Sequence, residues 1–260
     1  MKLVLNCMKC LALDGHPIGE FADVPYYEDR IAIHQCSRGH QNATMLQSHK
    51  FEVLLESGAN ALMAGFTVEA ATSMAAALER YMEFAAQVLL THRNMPADLY
   101  VKMFKELSSS SERQLGVFTA LWALEFFEVY IRPQKTYVEV RNRVVHKGHM
   151  PTPEECSAFC GVVYAEIFKL QAKLRERCQD AINKVVMQDL VDRQAKLSSK
   201  IGASATISTT GTMFYNIANL EAKDNFDDAL AAYAKAREMI DSLVDIQRIA
   251  QGMDYEESSD

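Results

Sequence analysis

From residue 46 to beyond residue 174, apolar residues recur at helical spacing, and only a few glycines and prolines interrupt them. Such a stretch cannot be built from half-buried strands, which would need apolar residues at every second position. A first helix is expected over 46–63, with Leu46, Phe51, Leu54, Leu55, Leu62 and Met63 on one face, and Gly65 breaks it. Thr67 is placed to cap a second helix running to about His92. Its alanines at 70, 71, 75, 76, 77, 85 and 86 allow neighbouring helices to approach closely. Met95-Pro96 interrupts, a shorter helix spans 97–107, and Ser111 is the expected cap of the next one, over 112–131. That helix reads as the most buried, because Leu115, Phe118, Leu121, Trp122, Leu124, Phe126, Phe127 and Tyr130 leave little polar face. Trp122 is read as core.

Pro133 leads into the motif KTYVEVRNRVVHKGHMPTP at 135–153. Its spacing predicts a helix that stops at Gly148 and Pro151. Thr152 then caps a long helix reaching about residue 196, with Pro153 in its first turn and Glu154 and Glu155 complementing the positive helix end. Arg141, Arg143, His146, Lys147 and His149 crowd into nine residues. Asn142 and His146 are four apart and share a face. Arg141 is five residues from His146, so its long side chain or a kink must close the gap. An arginine, a polar group and a histidine beside one phosphate suit RNA cleavage. The imidazole moves protons near neutral pH and the guanidinium stabilises charge on the phosphorane, and neither step needs a metal. Arg143, Lys147 and His149 are candidate RNA contacts.

This motif resembles the HEPN family, whose signature is an arginine, four to six residues and a histidine, with a polar residue commonly following the arginine. The stretch EAATSMAAALERYMEFAAQVL at 69–89 is similar to the family's early helix, an alanine-rich face followed by Leu-Glu. The resemblance covers about residues 47–174. It implies a helical bundle in which Arg141, Asn142 and His146 form the catalytic set of a metal-independent endoribonuclease. Such an enzyme leaves 2′,3′-cyclic phosphate and 5′-hydroxyl ends and acts as a toxin or antiviral-defence effector. It also implies a site shared by two chains, hence a homodimer through the motif face, and an antitoxin or defence protein as a further partner. The alternative is an inactive HEPN and zinc-ribbon scaffold. A family variant silenced by adenylylation carries a tyrosine two residues after the motif histidine, where this chain has Gly148.

Residues 1–42 have a different character. Cys7-Met8-Lys9-Cys10 is a CxxC pair, and Cys36 is followed four residues later by His40. Gly15, Pro17, Gly19 and Pro25 separate the pairs, followed by a strand-like 30–34. Two ligand pairs in a stretch too short to build its own core fit a small β zinc ribbon in which Cys7, Cys10, Cys36 and His40 hold a structural zinc. A redox CxxC or free thiols is the competing reading, and His16 or His34 offers a spare nitrogen. Cys156 and Cys160 have no second ligand pair nearby in sequence and read as buried thiols.

The expected fold is therefore mainly α: a zinc ribbon at 1–42, a HEPN-like helical domain at 43–197, and a loop, helical extension and acidic tail at 198–260. Residues 197–212, rich in Ser, Thr and Gly, suggest a flexible loop or poor hairpin and lack the phosphate-binding GxxxxGK[ST] pattern. Residues 213–220 suggest a short helix, 225–252 a final helix, and 254–260 a disordered acidic tail. Lys+Arg totals 27 against Asp+Glu 34, a net charge of −7. That excludes a protein that coats nucleic acid through bulk charge, so RNA must be met locally, at 141–149. No apolar run reaches the ~20 residues of a membrane span, and Asn6, Lys9 and Asp14 interrupt any signal-peptide core. The expected location is cytoplasmic.

Overall fold

The computed structural model describes residues 2–14, 19–23, 30–36, 38–107, 110–197, 204–207 and 224–250. The chain is mainly helical, with a small β component, and it divides into two compact units. One comprises residues 1–46, 196–222 and 228–260, and the other 47–195 and 223–227.

In the first unit, strand β1 (Lys2–Asn6) leads into helix α1 (Met8–Asp14), and β2 (Gly19–Asp23) returns antiparallel to β1, with Lys2 opposite Asp23. Strands β3 (Ile31–Gln35) and β4 (Gln41–Leu46) form an antiparallel hairpin in which Ile31 faces Met45 and Gln35 faces Gln41. Gly39, at φ 81°, supplies the left-handed residue of its turn. A fifth strand, β5 (Ser204–Ile207), pairs with β4 in parallel, from Ala43–Ser204 to Leu46–Ile207.

Three expectations change here. The CxxC lies at the entry to a helix, α1, within the stretch expected as a small β ribbon. The sheet runs to Leu46, past the boundary expected at 42. Residues 204–207, expected in a loop or poor hairpin, form a strand, because the free edge of β4 offers backbone partners that local composition does not reveal. His16, the helix expected at 213–220 and the tail at 254–260 lie outside the described residues, as do 198–203 and 208–212.

The second unit is built around α3 (Thr67–His92), which packs against α2 (Lys50–Met63), α5 (Ser111–Phe126) and α7 (Pro153–Gln194). Helix α2 starts four residues later than the apolar spacing suggested, because β4 takes residues up to 46. His49 is its cap, with the Glu52 carboxylate accepting from the His49 N–H at 2.6 Å. Small residues set the closeness of α2 and α3. A Cβ at Gly58 would lie 2.9 Å from Met74 Cγ and 3.3 Å from the Ala70 carbonyl. Behind them Phe51 meets Tyr81 edge-on at 5.1 Å and Phe84 at 5.4 Å. Gly65, at φ 81°, ends the connection, and Phe66 rather than Thr67 occupies the cap position of α3. Helix α4 (Ala97–Leu107) falls where expected, and Ser110, not Ser111, caps α5, accepting from Arg113 N–H at 3.4 Å.

The largest departure is α5. It ends at Phe126 instead of Ile131, and only Gln114, Phe118, Leu121 and Trp122 are buried along it, so α3 is the more buried helix. Phe127 takes a left-handed conformation, φ 56° and ψ 31°, which stops the helix. Arginines from elsewhere satisfy the carbonyls left over: Arg93 Nη2 donates to the Leu124 carbonyl at 2.8 Å, and Arg177 Nη1 to that of Glu125. The apolar residues that looked like a continuing core face, Phe127, Val129 and Ile131, are exposed. Trp122 is fully buried, as expected, with its indole N–H on Glu128 at 2.9 Å.

Among the described residues no helix is long and apolar enough to cross a membrane. Helix α8 (Phe226–Ala250) completes the chain order.

Candidate functional site

The 135–153 motif enters as a π-helical segment, Gln134–Glu139, and tightens into α6 (Val140–Lys147). Two side chains anchor it. Tyr137 is buried, donates to the Ala75 carbonyl at 3.3 Å and stacks on Phe159 at 5.7 Å. Val144, two turns on, is buried too. With those positions inward, Arg143, His146 and Lys147 are exposed, while Arg141 is partly buried. Gly148 ends α6 at φ 65°, and the His149 N–H returns to the Arg143 carbonyl at 3.0 Å. Thr152 then opens α7 with a reciprocal cap: its hydroxyl accepts from Glu155 N–H and the Glu155 carboxylate accepts from Thr152 N–H, both at 3.2 Å.

Arg141 and His146 meet. Arg141 Nη1 lies 2.8 Å from His146 Nε2 and 3.3 Å from Asn142 Oδ1. The five-residue separation is closed by the length of the guanidinium arm. A guanidinium can only donate, so Nε2 is the acceptor and the imidazole proton sits on Nδ1. Asn142, four residues from His146, gives its side-chain oxygen to the arginine. The far side of the guanidinium is held by a residue that motif spacing did not reveal. Arg141 Nη2 donates to Glu79 Oε1 on α3 at 2.9 Å. Both side chains are about a fifth exposed, at 23% and 22%. The only sequence signal for Glu79 was the Leu-Glu that follows the alanine-rich face.

The flanking cations have different surroundings. Arg143 and His149 both turn to Glu155, at 3.9 Å and 3.3 Å, while Lys147 is exposed. A hydrogen bond from the Thr152 backbone, with His149 and Arg143 adding to it, holds the Glu155 carboxyl below the usual carboxylate range.

A second constellation lies in the first unit. Cys7, at the entry to α1, Cys10, in its first turn, and Cys36 and His40, flanking the β3–β4 turn, bring their ligating atoms within 4.8 Å of one another. Cys10 Sγ is 3.9 Å from Cys36 Sγ and 3.3 Å from His40 Nδ1, and Cys7 Sγ is 3.7 Å from the same nitrogen. A tetrahedral zinc with bonds of about 2.3 Å to sulfur places sulfurs about 3.8 Å apart. The spacing is therefore compatible with structural zinc, and Nδ1 is the ring nitrogen facing the centre.

The three cysteines are buried together. Burial works to raise the Cys7 thiol, but hydrogen bonds from the Cys10 backbone, Asn42 and His40 outweigh it and bring it down to about 6. Burial and the two neighbouring sulfurs push Cys10 up to about 12. One ready thiolate beside a thiol that its neighbours keep protonated is a donor set that a divalent cation would complete. His34, the spare nitrogen, is not in this cluster. Cys156 and Cys160 are fully buried thiols, and Cys156 Sγ donates to the Thr67 carbonyl at 3.2 Å.

No family model, curated protein or solved structure matches the chain.

Proposed function

We propose that the chain is a metal-independent endoribonuclease of HEPN type, acting as a toxin or antiviral-defence effector. The observation that carries this reading is the 2.8 Å contact between Arg141 Nη1 and His146 Nε2, with Asn142 accepting from the same nitrogen and Glu79 holding the guanidinium through Nη2. A phosphodiester bound at the exposed end of α6 would draw Arg141 onto its non-bridging oxygens and free Nε2. That nitrogen could then take the proton from the 2′-hydroxyl. The hydroxyl oxygen attacks the adjacent phosphorus, the bond to the 5′-oxygen breaks, and the products are a 2′,3′-cyclic phosphate and a 5′-hydroxyl. Arg141 stabilises the extra negative charge as it develops. Lys147, exposed beside the site, is the flanking cation best placed to meet a second phosphate. Arg143 and His149 must first leave Glu155.

Departure of the 5′-oxygen needs an acid while His146 acts as base, and one imidazole cannot be both at once. Two chains related by a two-fold axis would supply both. The exposed apolar residues Phe127, Val129 and Ile131, just before the motif in sequence, and Met150 within it give such an association something to bury. Light scattering at micromolar concentration should therefore report a dimer. A monomer that cleaves RNA contradicts the shared site. In this reading a zinc held by the Cys7 cluster is structural, and the first unit contacts RNA or an antitoxin-like partner.

The inactive-scaffold reading is favoured by one observation: Glu79 and Glu155 already pair with three of the motif's cationic or titratable groups, Arg141, Arg143 and His149. Cleavage assays on RNA with His146→Ala and Arg141→Ala separate the two. Loss of cleavage in both, at unchanged folding, supports the enzyme. No cleavage by the unaltered chain on any RNA, with no toxicity on expression, supports the scaffold.

A further inference from the structure

Three potential metal donors from three helices converge in the second unit. His92 is the last residue of α3, Glu125 lies at the end of α5, and Cys178 sits in α7. The imidazole nitrogen, a carboxylate oxygen and the sulfur all lie within 4.8 Å of one another, with His92 Nε2 3.8 Å from Glu125 Oε1. Cys178 is also the one residue at which the backbone of α7 leaves helical geometry, at φ −121° and ψ 21°. We propose that His92, Glu125 and Cys178 form a second metal site, which takes zinc or a similar borderline divalent ion with one coordination position open to solvent.

The donor set selects the ion. A thiolate and an imidazole with one carboxylate suit zinc or cobalt, and disfavour magnesium or calcium, which want oxygen ligands. The neighbouring arginines fit around such an ion. Arg93 Nη2 binds Glu125 Oε2 at 3.2 Å and so holds the carboxylate from behind, leaving Oε1 as the oxygen on the His92 side. Hydrogen bonds of this kind orient ligating carboxylates in metal sites generally. Arg177 Nη1 is 3.8 Å from Oε1, beyond hydrogen-bond distance, and its bond goes to the Glu125 backbone carbonyl. An arginine clamp on Glu125 would need neither the thiol nor the imidazole nearby.

One thiolate and one carboxylate offset the charge of a divalent ion, and the two guanidiniums paired with Glu125, Arg93 and Arg177, are about half exposed, at 42% and 51%, so water screens their repulsion of the ion. As the sulfur–metal bond forms, the Cys178 thiol gives up its proton to solvent. His92 is the exposed member, so the open position faces water. The ion would tie the ends of α3 and α5 to the kink of α7.

Cobalt(II) titration of the full chain tests this, followed by optical absorption. The unaltered protein should take up one more ion per chain than His92→Ala. Cys178→Ala should lose the same ion, together with the charge-transfer absorption of a single thiolate. His92 is exposed, so its replacement leaves packing alone and decides the matter even if Cys178→Ala folds poorly. Repeating the comparison in a Cys7→Ser background separates this ion from any at the N-terminal cluster, and the one-ion difference should persist. Equal cobalt uptake by the unaltered chain and His92→Ala overturns the proposal.

Discussion

Replacing Glu79 by glutamine removes one negative charge and keeps the shape of the side chain, so it isolates what the carboxylate does for Arg141. The pair is 2.9 Å apart and about four-fifths buried on both sides. At an effective dielectric near 20 the bare attraction at that distance is about 6 kcal/mol, most of which desolvation and the ordering of two side chains cancel. Hydrogen bonds to charged groups contribute about 1.5–3 kcal/mol net. Glutamine still offers Arg141 a carbonyl oxygen, so about 1–2 kcal/mol should be lost. For a chain of this size that is a fall of a few degrees in melting temperature.

The effect on cleavage should be larger than stability alone explains. Arg141 would keep its contacts to Asn142 and His146 but lose the strong anchor behind it, and each 1.4 kcal/mol lost from positioning is a tenfold drop in rate. A fall of about tenfold in kcat with little change in KM is expected, from single-turnover and steady-state RNA cleavage alongside thermal melts. Glu79→Asp, whose carboxylate is one methylene shorter, should fall between glutamine and the unaltered chain. Full activity in Glu79→Gln with a normal melting temperature would refute the view that α3 positions the arginine.

The remaining predictions concern particular contacts. Cys7→Ser should cost the first unit its metal and its fold while α2–α7 stay helical, as seen by elemental analysis and hydrogen exchange, because a bound zinc can contribute ~10–16 kcal/mol of apparent folding energy in small peptides. Thr152→Ala should destabilise by about 1 kcal/mol through loss of the α7 cap, read by denaturant titration. Gly148→Ala meets no atom within 4 Å but must hold φ at 65°, so it should cost about 1 kcal/mol and fray the end of α6. The Glu155 carboxyl titrates lower in the folded chain than in the unfolded one. Its contribution to stability is therefore complete above the unfolded value, near pH 4.3, and lost as pH falls through the depressed folded value. Glu155→Gln should flatten the acid limb of a pH–stability profile there.

What was legible in the sequence was local. Gly65, Pro96, Gly148 and the Thr152-Pro153-Glu154-Glu155 start placed helix boundaries to within a few residues, because caps and breakers act on their own backbone. The Cys7 and Cys36 pairs could be joined across the intervening residues, because a stretch without a core needs a staple. What was missed depends on partners far along the chain. Phe127 to Ile131 continue an apolar pattern, yet α5 stops at Phe126, where Arg93 and Arg177 take its last carbonyls. Strand β5 has no alternation to announce it and is defined by the free edge of β4. Glu79 reaches Arg141, and His92 and Glu125 approach Cys178, only once α3, α5 and α7 pack together. No spacing rule within one helix could have paired those residues.

If His146 and Arg141 act together on a phosphodiester, the ends of RNA cut by the purified chain identify the reaction. 2′,3′-cyclic phosphate and 5′-hydroxyl ends are expected, formed with an excess of chelator in a short incubation and absent with His146→Ala. Products ending in 3′-hydroxyl and 5′-phosphate, or undiminished cleavage by His146→Ala, would contradict it.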